Sequence, residues 1–227
     1  PGDTRTTDAF VLDGTVDQRF ALGKGGHSLR LAAEAALVAG TTSRALTYNA
    51  RERMQLGSFG LTALASYAMP DDKVQVHLRF GWASGDEDPD DAFNRGFSFD
   101  RSFDAGLVLF EQFLGAVNAN SYALLTDPTR SGTPPDGVDA VVDEGAIGQA
   151  VFLQPAVQGK PIDILDLRVG LLVAWSAGDY RHPLYSFRAG GAPKNQANET
   201  PASRLLGTEL NWRVGVGGDL PFKAENA

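Results

Sequence analysis

The chain has 227 residues, no cysteine and a formal net charge of −8, which excludes disulfides and thiolate metal sites and argues against nucleic-acid binding, where a basic surface is needed. No apolar run approaches the roughly 18 residues of a membrane-spanning helix, so a helical membrane protein is excluded as well. The mean hydropathy of −0.17 still allows a transmembrane β-barrel, because alternation halves the average of every strand.

The first part of the chain alternates apolar and polar residues with period two, which predicts strands at 9–22 and 27–40. Four residues, 23–26, separate them and include three glycines, which adopt positive φ without strain and favour a hairpin turn. The alanines of 27–40 also fit a helix, but the neighbouring turn favours a strand.

The clearest alternation lies at residues 73–84, after a strand predicted at 53–69 and a tight turn at 70–72. Interior glycines, Gly57 and Gly60, mark a change of phase in the earlier strand and predict a β-bulge there. In 73–84, one side is continuously apolar and the other is polar. The apolar side carries Val74, Val76, Leu78, Phe80 and Trp82, and the polar side carries Gln75, His77 and Arg79.

A long segment follows, residues 85–145, far beyond the usual connection within a compact domain. We expect it to be a functional loop, a plug or partly disordered. Within it, residues 105–117 are apolar without period two, which favours a short helix folded over or into the sheet, with an extra strand as the alternative.

The remaining chain predicts three more strands, at 146–158, 165–176 and 205–217. A turn at 159–163 separates the first two, and a second long loop, 177–203, precedes the last.

In chain order, the lengths of the connections between the predicted strands are therefore short, medium, short, very long, short and long. An antiparallel up-and-down barrel with short turns at one rim and long loops at the other produces this order, whereas a Greek-key sandwich does not. The strands, at roughly 11–14 residues, also exceed the usual globular length and suit a bilayer.

We therefore predict an all-β fold, an antiparallel up-and-down transmembrane β-barrel or part of one, with about seven strands in one domain over 1–227. Because bacterial barrels use even strand numbers, we expect the chain to be the C-terminal portion of a larger barrel. The absence of an initiator Met or signal peptide at Pro1 fits a mature form or a piece of a longer protein.

Charged side chains on the polar side of these strands are candidates to line a lumen. Opposite charges on neighbouring strands would pair across the wall, and any surplus would select solutes. The alternative is the solvated face of a soluble sheet. The candidates are Asp13, Asp17, Arg19, Arg30, Glu34, His77, Arg79, Asp166, Arg168, Glu209 and Arg213.

Aromatic residues on the apolar side suit an interfacial girdle or, alternatively, the core of a sandwich. They are Tyr67, Phe80, Trp82, Trp175 and Trp212.

Other chemistry has little support. Asp86, Asp88 and Asp90 alternate as at the start of a calcium loop, but Asp91 and Phe97 stand where glycine and glutamate are needed, which favours a solvated acidic loop and no metal site. The three histidines lie in no nucleophile or zinc motif. Ser66 and His77 are one hairpin apart, a pairing that arises easily by chance, so we predict no enzyme and no cofactor.

A family resemblance rests on several segments, most specifically SGDEDP, FDRSFDAGLVLF and LGTELN, together with AVFLQPAVQGKPIDILDLRVGLLVAW and YSFRAGGAP. From about Leu29 onward the chain resembles the alginate-export-like group of Gram-negative outer-membrane barrels, in its poorly characterised branch. The resemblance implies a monomeric outer-membrane barrel that passes a polar or anionic solute. The candidate lining residues carry charges of both signs, so the resemblance does not imply selectivity for a polyanion.

The leading hypothesis is a porin-like channel that passes polar or charged solutes, saccharides among them, by passive diffusion, with outer-membrane lipid as its surroundings. One alternative is a structural or adhesive outer-membrane barrel with a plugged lumen. The other is a soluble β-sheet binding module.

Overall fold

The computed structural model of the protein describes residues 6–43, 53–88, 91–100, 102–127, 129, 146–162 and 164–217. It is mainly one antiparallel β-sheet. The strands are β1 (Thr7–Leu22), β2 (His27–Thr42), β3 (Met54–Ala68), β4 (Val74–Ala83), β5 (Phe93–Asn94), β6 (Ala150–Ile162), β7 (Leu165–Ser176) and β8 (Leu205–Val216). Their order across the sheet is β1-β2-β3-β4-β6-β7-β8, and the two-residue β5 pairs with β3.

Every neighbouring pair of long strands is antiparallel, and neighbouring long strands in the sheet are also consecutive along the chain. The short connections, 23–26, 69–73 and 163–164, all lie at one end of the sheet, and the longer ones, 43–53, 84–149 and 177–204, at the other. This is the order of connections that the sequence predicts. Because β1 and β8 are the two edges of the sheet formed by the described residues, that sheet is open.

Helices occupy parts of the two longest connections. A π-helical turn, Leu109–Leu114, leads into α1, Gly115–Thr126, and α2 spans Pro183–Arg188. The predicted segment 105–117 is therefore helical over part of its length, and the helix begins later and ends later than the sequence indicates. A one-turn 3₁₀-helix, Pro70–Asp72, makes the β3–β4 turn. Among the described residues, no helix is both long and apolar enough to cross a membrane.

Two sequence predictions on strand regularity are wrong. The register of β3 is continuous through Gly57 and Gly60, with no bulge. These glycines instead leave space for aromatic rings, since a Cβ would collide with Phe93 at Gly57 and with Phe97 at Gly60. The predicted turn at 159–163 is mostly strand, because β6 continues to Ile162 with an irregularity after Gly159.

The two faces of the sheet differ sharply in chemistry. Directly paired residues share a face, and successive residues alternate between faces. We call one the apolar face; the Asp, Glu, Lys and Arg residues of the seven long strands lie on the other face, except Asp8 near the start of β1. We call the opposite one the polar face. The apolar face includes Leu12, Leu31, Leu61, Leu78, Leu153, Val169 and Leu210.

The hydrophobic core lies on the polar face, near the end with the long connections. There a stretch of the β4–β6 connection, residues 104–126 and here called the inserted segment, packs against the sheet. The ring of Phe110, in this segment, has its centroid 6.1 Å from that of the Phe152 ring on β6. Gly81 on β4 makes room for Phe152. The core comprises Ala105, Leu109, Phe110, Ile147, Ala150, Phe152, Leu172 and Ala174.

Candidate functional site

All eleven predicted lining residues fall on the polar face. The register sets Arg19 opposite Arg30, and Arg168 opposite Arg213. The others occupy positions of the same parity on β1, β2, β4, β7 and β8. Alternation alone places them together, because each strand keeps its phase across most of its length. Whether this face borders a lumen stays a prediction.

Charges on β1 and β2 form one close ion pair. The Arg30 guanidinium donates from Nε to Asp17 Oδ1 at 3.0 Å, across the two strands. This pair lets Arg30 lie opposite Arg19, since the carboxylate offsets the repulsion between the two cations. Asp13 and Glu34 lie on the same two strands and have no described cation within salt-bridge distance. Arg19 has no described carboxylate within salt-bridge distance either, so the described polar face of β1 and β2 presents two open carboxylates and one open cation.

On β7, Asp166 makes a different set of contacts. Its Oδ2 accepts a hydrogen bond from Gln158 Nε2 at 2.7 Å. Its Oδ1 is 4.0 Å from an Arg213 nitrogen and, although buried, has no hydrogen-bond partner among the described residues. Neighbouring Arg168 has no described carboxylate within salt-bridge distance. The short-turn end of β6–β8 is thus richer in cations than the β1–β2 side.

Two predicted lining residues instead hold the inserted segment. Glu209 on β8 accepts backbone N–H bonds from Leu107 at 2.6 Å, Val108 at 3.1 Å and Leu109 at 2.8 Å. Arg79 on β4 donates from Nη1 to the Asp104 carbonyl oxygen at 2.7 Å. These N–H groups precede and open the helical turn, so they have no partner within the helix and the carboxylate satisfies them.

Close backbone approach seats the inserted segment on the sheet. Gly106 has φ +86°, and a Cβ there would lie 2.8 Å from Glu209 Oε2 and 2.8 Å from Leu172 Cδ2. A Cβ on Gly207 would lie 2.8 Å from Leu109 Cδ1. The positive φ favours glycine at position 106, whereas a side chain at position 207 would require the end of the Leu109 side chain to move. The sequence holds these glycines but gives no sign of what they face.

The inserted segment therefore divides the polar face. It covers the end of β6, β7 and β8 near the long connections and leaves β1, β2 and the middle of β3 uncovered, while Phe97 of the same connection packs over Gly60 of β3. We call the open part the β1–β3 strip. A shallow depression lies along it, lined on this face by Thr15, Asp17, Ala32, Glu34, Thr62 and Leu64.

Polar contacts join the two longest connections beyond the sheet. The Arg181 guanidinium donates to the carbonyl oxygens of Asp86 at 3.1 Å and Glu87 at 2.6 Å. Arg204 Nη2 lies 2.7 Å from Glu87 Oε1 and 3.3 Å from Asp179 Oδ1. Side chains of one loop thus fix the backbone of the other.

The acidic stretch that begins at Asp86 contacts protein groups. Burial raises the pKa of the Asp86 carboxyl, and hydrogen bonds from the backbone of Arg95 and Asp88 oppose that shift. An Arg95 nitrogen lies 3.7 Å from the carboxylate. Asp90 lies outside the described residues, and within them no three His, Asp or Glu side chains converge on a potential metal position.

Ser66 and His77 do meet on the polar face. They are directly opposite on β3 and β4, and Ser66 Oγ lies 2.8 Å from His77 Nδ1. Among the described residues no carboxylate hydrogen-bonds this ring to orient it as a general base. The contact is a cross-strand hydrogen bond that links the two strands.

No family model matches this sequence, and no curated protein matches it.

Proposed function

We propose that this chain forms the wall of an outer-membrane β-barrel, or part of one, and that the barrel is a porin-like channel for polar or charged solutes. The observation that carries the proposal is the apolar face. Its large apolar side chains are more than a third exposed on six of the seven long strands, among them Phe10 at 65%, Val169 at 53% and Val216 at 79%, while those of β3 are half-buried. Soluble monomers rarely leave more than a few hundred Å² of contiguous apolar surface, and a face spanning a whole sheet exceeds that.

The charge pattern favours lipid over a protein partner as the cover. Protein interfaces have a polar, partly charged rim, whereas the one charged residue of the described strands on this face is Asp8, near the start of β1 at the long-connection end. Its height also fits. From Val74 to Trp82 the strand rises about 26 Å at roughly 3.3 Å per residue, or about 20 Å at a tilt near 40°, close to the apolar band of roughly 25 Å in outer-membrane barrels.

Aromatic residues mark both ends of the apolar face. Near the long connections, Trp82 and Trp175 flank Val151 on the intervening strand, and the Phe59 ring lies 4.8 Å from that of Trp82. At the other end the Tyr67 hydroxyl hydrogen-bonds His27 Nδ1 at 2.8 Å, beside the β1–β2 turn. Amphipathic rings are favoured where apolar and aqueous surroundings meet.

The polar face supplies the passage. In a barrel whose outer face is lipid-exposed, the opposite face borders the interior. A lining that carries charges of both signs, two pairs of them in contact, admits water and small polar solutes, saccharides among them, without strong retention. Passive diffusion of this kind needs no cofactor.

The sequence segments SGDEDP and LGTELN support placing the chain in the alginate-export-like group as part of this proposal. The location would then be the outer membrane of a Gram-negative bacterium, with a monomeric barrel in contact with lipid. An odd number of long strands leaves β1 and β8 running parallel, so an antiparallel closed wall needs additional strands between them.

Planar-bilayer conductance of the full-length protein tests the channel, with reversal potentials in asymmetric KCl. We expect steady conductance with a definite ion preference. Inserted but silent protein would overturn the channel function.

A plugged structural or adhesive barrel is the second candidate, because the inserted segment packs on the polar face. It predicts full insertion, no conductance, and function in the joined loops around Arg181 and Glu87.

A further inference from the structure

We infer that the inserted segment is a fixed constriction, that Glu209 is the residue that positions it, and that solutes pass along the β1–β3 strip. The inference rests on the proposed function for the passage, but the positioning role stands on contacts within the chain. It assigns different roles to residues that the alternating pattern treats as one lining.

The carboxylate of Glu209 is suited to hold a helix start. It accepts three successive N–H groups, and charge-assisted hydrogen bonds of this type are stronger than neutral ones. These N–H groups open the helix and have no carbonyl acceptor within it, so removing the carboxylate would leave them without their acceptor. Arg79 adds one bond to the Asp104 carbonyl on the opposite side of the segment. The segment is thus tied to β4 and β8, across the intervening β6 and β7.

Packing keeps the segment close to the wall. Gly106 has a positive φ that favours glycine, Gly207 leaves room for the Leu109 side chain, and Leu109 and Phe110 are buried in the core. A constriction held by both hydrogen bonds and core contacts keeps its position while solutes pass.

Ion selectivity depends on which charged side chains have no partner within the protein. Glu209 and Arg79 are engaged by the inserted segment. On the β1–β3 strip, Asp17 is paired with Arg30, while Asp13 and Glu34 remain open. Arg19 on the same face has no described carboxylate within salt-bridge distance either. The three carboxylates and two arginines of the strip leave an excess of one negative charge, which favours cations and polar neutral solutes over anions.

Engineered cysteines test the position directly, because the chain has none of its own. In Leu109→Cys/Gly207→Cys, the shorter side chain at 109 removes the atoms that a Cβ at 207 would meet. We expect a disulfide to form rapidly under mild oxidation in the inserted full-length protein. The control pair Leu109→Cys/Thr15→Cys joins the segment to distant β1 and should stay reduced. Equal cross-linking of both pairs would overturn the fixed position.

Adding Glu209→Gln to the first pair tests the positioning role. An amide replaces the charged acceptor, and we expect cross-linking to slow about tenfold, the equivalent of about 1.4 kcal/mol. An unchanged rate would overturn the role of Glu209. If the cysteine pair fails to fold, cleavage after Glu111 by a glutamate-specific protease replaces the cross-linking assay. We expect faster cleavage in Glu209→Gln than in the unchanged protein. Equal cleavage rates would count against the positioning role of Glu209.

Conductance tests the passage separately. Asp13→Asn/Glu34→Gln should shift the reversal potential toward anions with no change in the cross-linking rate, whereas Glu209→Gln should raise the conductance. Cross-linking as expected in protein that never conducts would retain the positioned segment and reject the channel. Conductance in which Asp13→Asn/Glu34→Gln leaves the reversal potential unchanged would reject the strip as the path.

Discussion

An arginine in the middle of the apolar face distinguishes lipid from water as its surroundings. Val169 lies at the centre of β7, is 53% exposed, and is directly paired with Val157 and Trp212. If the face contacts lipid, Val169→Arg should destabilise the inserted protein by about 2–4 kcal/mol, because a charge near the bilayer centre is poorly solvated. That corresponds to about a 30- to 900-fold change in the folding equilibrium.

In water the same change has a different expected result. An exposed surface substitution is usually within about 0.5 kcal/mol of neutral, and a guanidinium beside the Trp212 ring gains a cation–π contact. The two surroundings therefore differ by well over 1 kcal/mol at this position. Leu78→Arg on β4, 44% exposed on the same face, should behave in the same way.

The assay is urea-induced unfolding of the full-length protein in phosphatidylcholine vesicles, followed by tryptophan fluorescence. Thr62→Arg is the matched control, because Thr62 lies mid-strand on the polar face opposite Glu34, where the new cation gains a carboxylate neighbour. Equal stability of Val169→Arg and Thr62→Arg would refute the assignment of the two faces.

Two further predictions test local packing. Gly60→Val should destabilise the fold by about 1–3 kcal/mol, since its side chain would collide with the Phe97 ring, while Gly14→Val, whose Cβ meets nothing within 4 Å, should be near neutral; unfolding midpoints check this, and equal midpoints would contradict it. Burial raises the pKa of Tyr180 to about 12, with a hydrogen bond from Gln196 opposing the shift, so phenolate absorbance should show a late step that Tyr180→Phe removes. Because the folded pKa exceeds the ordinary value near 10, the contribution of this tyrosine to stability should be complete below pH 10 and lost as the pH rises to about 12.

Strands were predictable wherever apolar and polar residues alternated without a break. Residues 165–176 alternate without interruption, and β7 has the predicted bounds. At the end of β6, residues 159–162 contain Gly and Pro and look like a turn locally, but pairing with β7 keeps them in the sheet. Long-range pairing there outweighs local turn propensity.

The role of Glu209 could not be predicted from its own strand. Its alternation places it correctly on the polar face, but its partners at 107–109 are about a hundred residues away in sequence. For the same reason, Gly57 and Gly60 indicate a bulge locally, while the true cause is the aromatic rings packed over them. Contacts made by an inserted segment leave no periodic signal in the strands of the sheet.

Lipid contact of the apolar face is the central claim, and single-cysteine labelling along β4 tests it most directly. An environment-sensitive fluorophore is attached in turn at positions 74–80 of the full-length protein in vesicles that contain brominated lipid. The account predicts period-two behaviour, with blue-shifted emission quenched by the lipid at 74, 76, 78 and 80, and quenching by aqueous iodide at 75, 77 and 79. Uniform iodide quenching at all seven positions would contradict it.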